Sequence, residues 1–391
     1  MANSPSEARA VRDAAFAALN RGDSRAASEQ FTRMLSAGTA DAGVWFGLSV
    51  AHRQLGAAAE ENQALEQALA LDPNYLPALI RKADLFMQQG NERAACSYYG
   101  AAARLSAARP GLPPEWQREA QRAAAAAQQI AGRFEAYLLN ALAGHGFDAT
   151  GADRFSRALD LLLGKRQIYL QEPKSFYFPE LPQVQFYDRR QFPWAAPLEA
   201  ATSRIRAELN ALLASASGFE PYIRRIADRP NFRHPLLESP DWSACYLIRD
   251  GREVGETAAR CPDTLAALRE VPLCRIAERT PSVLFSLLRP GTRIRPHHGF
   301  TNARLICHLP LIVPGECALR VGNQIHPWRE GELVVFDDSM EHEAWNLSKE
   351  LRVVLLFDIW RPELTDRERA MVTATLEAVS RFDGSQGAWR D

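Results

Sequence analysis

The sequence predicts a multidomain α + β protein: an N-terminal α-solenoid, then a double-stranded β-helix, or jelly roll, with flanking helices. Three observations carry this expectation. The Ala-rich first third repeats with a 34-residue period, the apolar pattern switches to a period of two from about residue 240, and turn dipeptides cut that second region into short strands. At 391 residues the chain also exceeds one ordinary hydrophobic core, so two domains and a connecting segment are expected.

The repeats come first. Gly22, Gly56 and Gly90 fall 34 residues apart, and the same offset links Phe31, Leu65 and Tyr99, then Met34, Ala68 and Ala102, then Ala15, Ser49 and Ala83. Small residues recur where helices must approach closely, large ones where the next helix packs, and glycine where the chain turns. This register resembles the tetratricopeptide period of helix–turn–helix units, best in the middle unit from Trp45 to Pro73. An Ala-rich bundle with coincidental spacing is the alternative, and four columns at one offset weigh against it. ARPGLPP (108–114) breaks the pattern; helices then follow from Pro114 to about Leu142 and from Asp153 to Leu163. Glu172 to Trp194 turns aromatic and proline-rich, as expected of extended chain laid over another domain, and one helix is expected from Pro197 to Leu213. The resulting division is 1–107 repeats, 108–175 helical cap or linker, and 176–391 β domain.

Strand-like runs follow at 282–288, 304–313, 317–321, 332–337, 343–347 and 351–360, separated by PG, GN, EG, DDS and SKE turns. Their spacing implies an antiparallel sandwich or barrel. Hydrophobic residues make up 47% and charged residues 24%, and the net charge is -1 with a pI of about 6.7, so nucleic acid and anionic membranes are not favoured partners. No basic stretch followed by an apolar run opens the chain, and no segment approaches the roughly 20 apolar residues that span a bilayer. Six scattered cysteines without a CxxC pair read as reduced thiols; only Cys261 and Cys274 are placed to close a short loop. A cytoplasmic location is the expectation.

Five of the eight histidines lie between 297 and 342. His297 and His342, donated from different strands of one barrel, suit a borderline divalent metal such as Fe(II). The usual carboxylate of such a site lies two residues after the first histidine, and here that position is Gly299. His298 alternates away from His297 on a continuing strand, so only one of the two points inward. His326, before Pro327, reads as a surface or turn residue. Arg352 stands in an otherwise apolar strand, and a guanidinium buried there needs a carboxylate. That carboxylate is either a ligand's or an internal one such as Asp358. Arg304, Ile306 and His308 share one strand face and Leu305, Cys307 and Leu309 the other, so one face is chemical and one is packing. Ser286, between Leu284 and Leu288 on its face, is a candidate hydrogen-bond donor.

These residues sit in an ordered run. Leu288-Arg289-Pro290-Gly291-Thr292, Pro296-His297-His298-Gly299, Thr301-Asn302, Arg304-Leu305 and His308-Leu309 resemble the aspartyl/asparaginyl β-hydroxylase family. So do Pro314, Cys317, Arg320-Val321, Trp328-Arg329-Glu330-Gly331, Phe336-Asp337-Asp338-Ser339, Glu341-His342-Glu343, Arg352, Asp358-Ile359-Trp360 and Pro362. A weaker likeness extends back through Asp241-Trp242-Ser243 to the aromatic segment near residue 176.

The resemblance implies a 2-oxoglutarate- and Fe(II)-dependent dioxygenase, consuming O2, whose iron is held by two histidines alone. On it, His297 and His342 are the metal ligands, and Arg352 with Ser286 holds the distal carboxylate of 2-oxoglutarate. His308 contacts that cosubstrate near the metal, and Arg304 meets the substrate's acidic side chain. It further implies hydroxylation of an unactivated carbon, the β-carbon of Asp or Asn in a peptide. Ile306 departs from the pattern, standing where animal members carry a further arginine, which puts acidic-residue preference in question. Halogenation at the vacant carboxylate position, a free amino acid or other small-molecule substrate, and a non-catalytic repeat-plus-barrel scaffold are the competing readings. A solenoid presents a concave groove to extended segments, which favours a peptide or protein substrate; docking or dimerisation is the alternative role for the repeats.

Overall fold

The computed structural model describes residues 5–148, 154–215, 218–225 and 234–383 and divides into two compact units, Met1–Lys165 and Arg166–Asp391. Asp153, expected to open a helix, lies outside the described residues.

The first unit is a run of antiparallel helices: α1 (Pro5–Asn20), α2 (Ser24–Ser36), α3 (Ala42–Gln54), α4 (Ala58–Leu71), α5 (Leu76–Gln88), α6 (Glu92–Ala108), α7 (Pro114–Ala143) and α8 (Arg154–Leu162). Gly22, Gly56 and Gly90 close the hairpins with φ of +80°, +73° and +74°, a left-handed conformation that only glycine adopts cheaply. The residue after each glycine occupies the next helix's N-cap. Asp23 and Asn91 accept from Ala26 N and Ala94 N, while Ala57, at the equivalent place, caps nothing with its side chain. The predicted columns are buried: Phe31, Leu65 and Tyr99 are at most 3% exposed, and Ala15, Ser49 and Ala83 are fully covered. Gly47 shows why small residues recur, since a Cβ there would collide with the Phe31 ring.

The second unit begins with an extended segment that leads to β1 (Phe186–Tyr187), α9 (Ala195–Ala200) and α10 (Thr202–Ala214). The single helix expected over 197–213 is therefore two, separated at Ala201. Next come β2 (Glu220–Pro221), β3 (Trp242–Arg249), β4 (Arg252–Glu253), α11 (Gly255–Ala259) and α12 (Pro262–Ala267). The remaining strands are β5 (Val283–Leu288), β6 (Thr292–His297), β7 (Arg304–Ile312), β8 (Cys317–Val321), β9 (Gln324–Pro327), β10 (Val334–Phe336), β11 (His342–Asn346) and β12 (Arg352–Trp360), before α13 (Asp366–Asp383).

They form two antiparallel sheets. The larger has the order β1-β10-β7-β12-β5-β3-β2, with β4 on β3; the smaller has the order β6-β11-β8-β9. One face of the large sheet packs Phe285, Leu305, Leu309, Leu355 and Phe357 against Leu198, Ile205 and Leu209 of α9 and α10. Its other face meets the small sheet through Leu288, Ile306 and Phe336 against Ile294, Leu319, Val321 and Ala344.

β1, β2, β3, β4 and β9 lie outside the strand-like runs expected, and β6 was expected only as the strand that leads to His297. In β6, TRIRPH, only Thr292 and Ile294 are buried, so the apolar signal is too sparse to read. β9 is an edge strand, and it places His326, expected in a turn, half-buried with its ring 5.1 Å from that of Phe186. All six cysteines are free thiols, so Cys261 and Cys274 form no bridge. Among the described residues no helix is long and apolar enough to cross a membrane.

Candidate active site

β5, β12 and β7 are neighbours in the large sheet, so residues of one parity on each strand share a face. On the inner face Ser286, Arg304, His308 and Arg352 line a cavity of about 160 Å3, together with His297 and His342 from the small sheet. All six residues expected at a site therefore meet in one place. The opposite parity, Leu305, Cys307 and Leu309 on β7, enters the outer core.

His297 ends β6 and His342 opens β11, and the two are partners in the β6–β11 register. Their ring centroids lie 4.0 Å apart. Each Nδ1 sits against a carbonyl two residues earlier in the chain: His297 at 2.8 Å from Arg295 O, and His342 at 3.0 Å from Met340 O. A proton on Nδ1 suits both contacts and leaves the Nε2 lone pair for a Lewis acid. Burial, reinforced by the neighbouring His297, holds His342 well below the ordinary imidazole range, so it is neutral. Burial and then Arg352 do the same for His308. The His308 ring lies between Trp328 and Phe336, and its Nδ1 has no partner. His298, just beyond β6, is half-buried with Nε2 at 3.9 Å from the Glu172 carboxylate.

Among the described residues no group of three or more histidine, cysteine or carboxylate side chains gathers as a metal cluster. What stands where a residue-299 side chain would go is Asp338. A Cβ on Gly299 would run into the Asp338 carboxylate, and Gly299 N donates to Asp338 O at 2.6 Å. Burial raises Asp338 to about 6 against the pull of Arg304, and its Oδ1 has no partner. In the sequence Asp338 stands out only as part of the Phe336-Asp337-Asp338-Ser339 run. The signal that marks it is two adjacent acids, Asp337 and Asp338, between apolar Val334–Phe336 and Met340.

Arg352 is 2% exposed and has no carboxylate within reach among the described residues. Its Nη1 is 3.5 Å from Ser286 O, its guanidinium carbon is 5.9 Å from the Trp328 ring, and its Nε is unpartnered. Burial pushes it down to about 10. The internal bridge to Asp358 does not form: six residues along one strand separate them by about 20 Å. Ser286 accepts from Trp242 Nε1 at 3.2 Å, which leaves its hydroxyl proton to donate elsewhere.

Asp358 belongs instead to Arg304. The Arg304 guanidinium lies 3.1 Å from Asp338 Oδ2 and 3.4 Å from Asp358 Oδ2. Burial opposes its charge, but the two carboxylates outweigh burial and raise its pKa. Its Nε is buried without a hydrogen-bond partner. Ile306 stands between Arg304 and His308 on the same strand face, 6% exposed.

The aspartyl/asparaginyl beta-hydroxylase family model matches residues 199–362. The mouse protein named aspartyl/asparaginyl beta-hydroxylase is 38% identical over 143 residues, 36% of this chain and 19% of that one. An ornithine lipid ester-linked acyl 2-hydroxylase of Rhizobium tropici is 34% identical over 194 residues, covering 49% of this chain and 66% of that protein. Aspartate beta-hydroxylase domain-containing protein 2 of Xenopus tropicalis is 30% identical over 205 residues, 51% of this chain and 53% of that one. The match thus spans about a fifth to two thirds of these relatives, not their whole length.

The structure of PcrH with the chaperone-binding region of PopD is similar to the helical part at 22% identity. It covers 34% of this chain and 96% of that one with a TM-score of 0.31, and at that score the description of the repeats rests on their own helices. The matched residues carry His297, His342 and the four polar strand positions of the cavity, Ser286, Arg304, His308 and Arg352. Residues 199–362 form an aspartyl/asparaginyl β-hydroxylase family domain, which follows an N-terminal array of helical repeats.

Proposed function

We propose that this protein is an Fe(II)- and 2-oxoglutarate-dependent dioxygenase that hydroxylates an unactivated carbon in a peptide or protein. The observation that carries the reading is Arg352, a buried cation with no anion among the described residues, in the same cavity as two imidazoles in contact. A charge in that position is costly unless a ligand completes it, and a dicarboxylic acid is the ligand that also suits a metal nearby.

The donor set fits iron. His297 and His342 would hold it through Nε2, and Asp338, with an unpartnered oxygen in the space beside Gly299, would accept from a water bound there. The chemistry supplied when iron is bound is oxidation of 2-oxoglutarate by O2 to succinate and CO2, with one oxygen atom inserted into a C–H bond.

The chain's own part is positioning. Arg352 and the Ser286 hydroxyl anchor the distal carboxylate of 2-oxoglutarate, and His308, kept neutral, offers a hydrogen bond to the cosubstrate without adding charge. Two sheets arranged as a jelly roll exclude water from the cavity. The Asp338 carboxylate also speaks for hydroxylation over halogenation, because a halide at the vacant position would face an acidic side chain.

At the substrate end Arg304 is already balanced by Asp338 and Asp358, and Ile306 adds no cation. Held between those two carboxylates, Arg304 offers a substrate group little uncompensated charge. An asparagine amide therefore fits better than an aspartate at the hydroxylated position. The repeats are proposed to bind the extended substrate chain, in the cytoplasm.

Anaerobic addition of Fe(II) and 2-oxoglutarate tests the reading. A weak visible charge-transfer band should develop in the wild type and be lost in His342→Ala. No band in the wild type points to a non-catalytic scaffold, and succinate production retained by His342→Ala removes that residue from the metal site. Incubation with a peptide library should then show an oxygen-dependent gain of one oxygen atom, on Asn peptides before Asp peptides.

A further inference from the structure

One buried polar cluster lies beside the cavity without facing it. The extended segment at the start of the second unit runs along 299–302: Lys174 N donates to Gly299 O at 2.9 Å, and Ser175 N and Phe176 N both donate to Phe300 O at 3.0 Å. The same segment touches 337–339 through Glu172 N, which donates to Ser339 O at 2.8 Å. These two backbone stretches flank the histidines, since Gly299 is two residues past His297 and Ser339 is three before His342.

Gln171, 6% exposed, joins them with a single side chain. Its Nε2 donates to Asp337 Oδ2 at 2.7 Å and to Pro182 O at 3.0 Å, and its Oε1 accepts from Asn302 Nδ2 at 2.9 Å. Both amide hydrogens and the amide oxygen are therefore used.

Each neighbour is locked in turn. Asn302 also donates to Phe178 O at 2.8 Å and accepts from Phe178 N at 2.7 Å. The other oxygen of Asp337 accepts from Ser339 N at 3.0 Å and from Ser339 Oγ. Arg361, fully buried, donates to Asp337 Oδ2 at 2.7 Å and to Asn302 O at 3.2 Å. A buried network with its amide fully satisfied has one low-energy arrangement, because each displacement strands a polar group. Packing alone does not call for an amide at residue 171.

We infer that Gln171 is a positioning residue for the histidine pair: its side-chain amide ties the loop after His297 to the loop before His342 and so sets their separation. The inference rests on the metal reading above for its consequence, and on the tie alone for its geometry. A ligand pair held at the right separation binds an ion without reorganising, and outer residues of this kind typically contribute tenfold or more to metal affinity.

The test uses the full chain with Gln171→Met, which keeps the volume and removes the bonds, and Gln171→Asn, which keeps the amide but shortens its reach. Should Gln171→Met fail to fold, Gln171→Asn carries the test. Two measurements are made: Mn(II) affinity from the free-ion electron paramagnetic resonance signal, and the imidazole nitrogen shifts of the metal-free protein.

Mn(II) affinity should fall about tenfold or more, and the ring signals of His297 and His342 should move while that of His308, inside β7, stays. Lowered thermal stability with unchanged Mn(II) affinity and unmoved ring signals overturns the inference, because that is what a purely structural glutamine does. Moved ring signals in a protein whose wild type binds no Mn(II) uphold the tie and defeat the metal reading instead.

Discussion

Arg304 and Arg352 lie buried on the same face of the same sheet, and the fold treats them in opposite ways. Arg304 is held between Asp338 and Asp358, and its charge is secured by them. Arg352 has an aromatic ring, a distant carbonyl and, among the described residues, no anion, and burial depresses its pKa to about 10. The first arrangement is architecture, a cation needed to keep two buried acids ionised. The second is a stability cost borne by the empty protein, which identifies where a ligand's charge belongs.

The sharpest way to break that contrast is to remove each guanidinium in turn. Arg352→Met should raise the 2-oxoglutarate requirement for succinate production about a hundredfold or more, the loss of two charge-assisted hydrogen bonds. An unchanged requirement would take the anchor away from Arg352.

Arg304→Met should instead unfold more easily, by about 3–5 kcal/mol in urea titration, because it abandons two buried carboxylates. A loss below about 1 kcal/mol would show that Asp338 and Asp358 are content without it.

The pH dependence separates the two as well. With its folded pKa depressed, Arg352 penalises the folded state at every pH below about 10, and the penalty is relieved as pH rises through that value. Arg352→Met should therefore exceed the wild type in ligand-free stability by roughly 3 kcal/mol at neutral pH, with the gap narrowing between pH 9 and 11. A gap that stays constant over that range means the guanidinium is not desolvated.

The smallest effect is expected at Trp242→Phe, which loses the indole donor to Ser286 Oγ. It should raise the 2-oxoglutarate requirement severalfold, on the order of 1 kcal/mol, and leave Mn(II) affinity alone.

Much of this was readable in advance, and the unread part has a common cause. The 34-residue columns and the parity of β7 follow from local periods, since each residue's period fixes its face whatever lies opposite, whereas His297 and His342 came as a pair from the family resemblance. β6 was legible only as the strand that delivers His297, because its outward residues are charged and exposed and its apolar pattern is sparse. The continuous helix over 197–213 failed because Ala201, a good helix former, gives no sign of the break.

Asp338 escaped for a different reason. It matters for where its carboxylate stands relative to Gly299, and that is a property of two loops that the chain itself does not list side by side.

By itself the sequence determined the two periodic regions, the face each β residue takes, and which cations and imidazoles were available for chemistry. Only the tertiary structure decided which acid met which arginine, and that Gln171 reaches across to Asp337 and Asn302. Partners are chosen by register between strands and by loops that meet across about 130 to 170 residues of chain. A period along the chain carries no information about either.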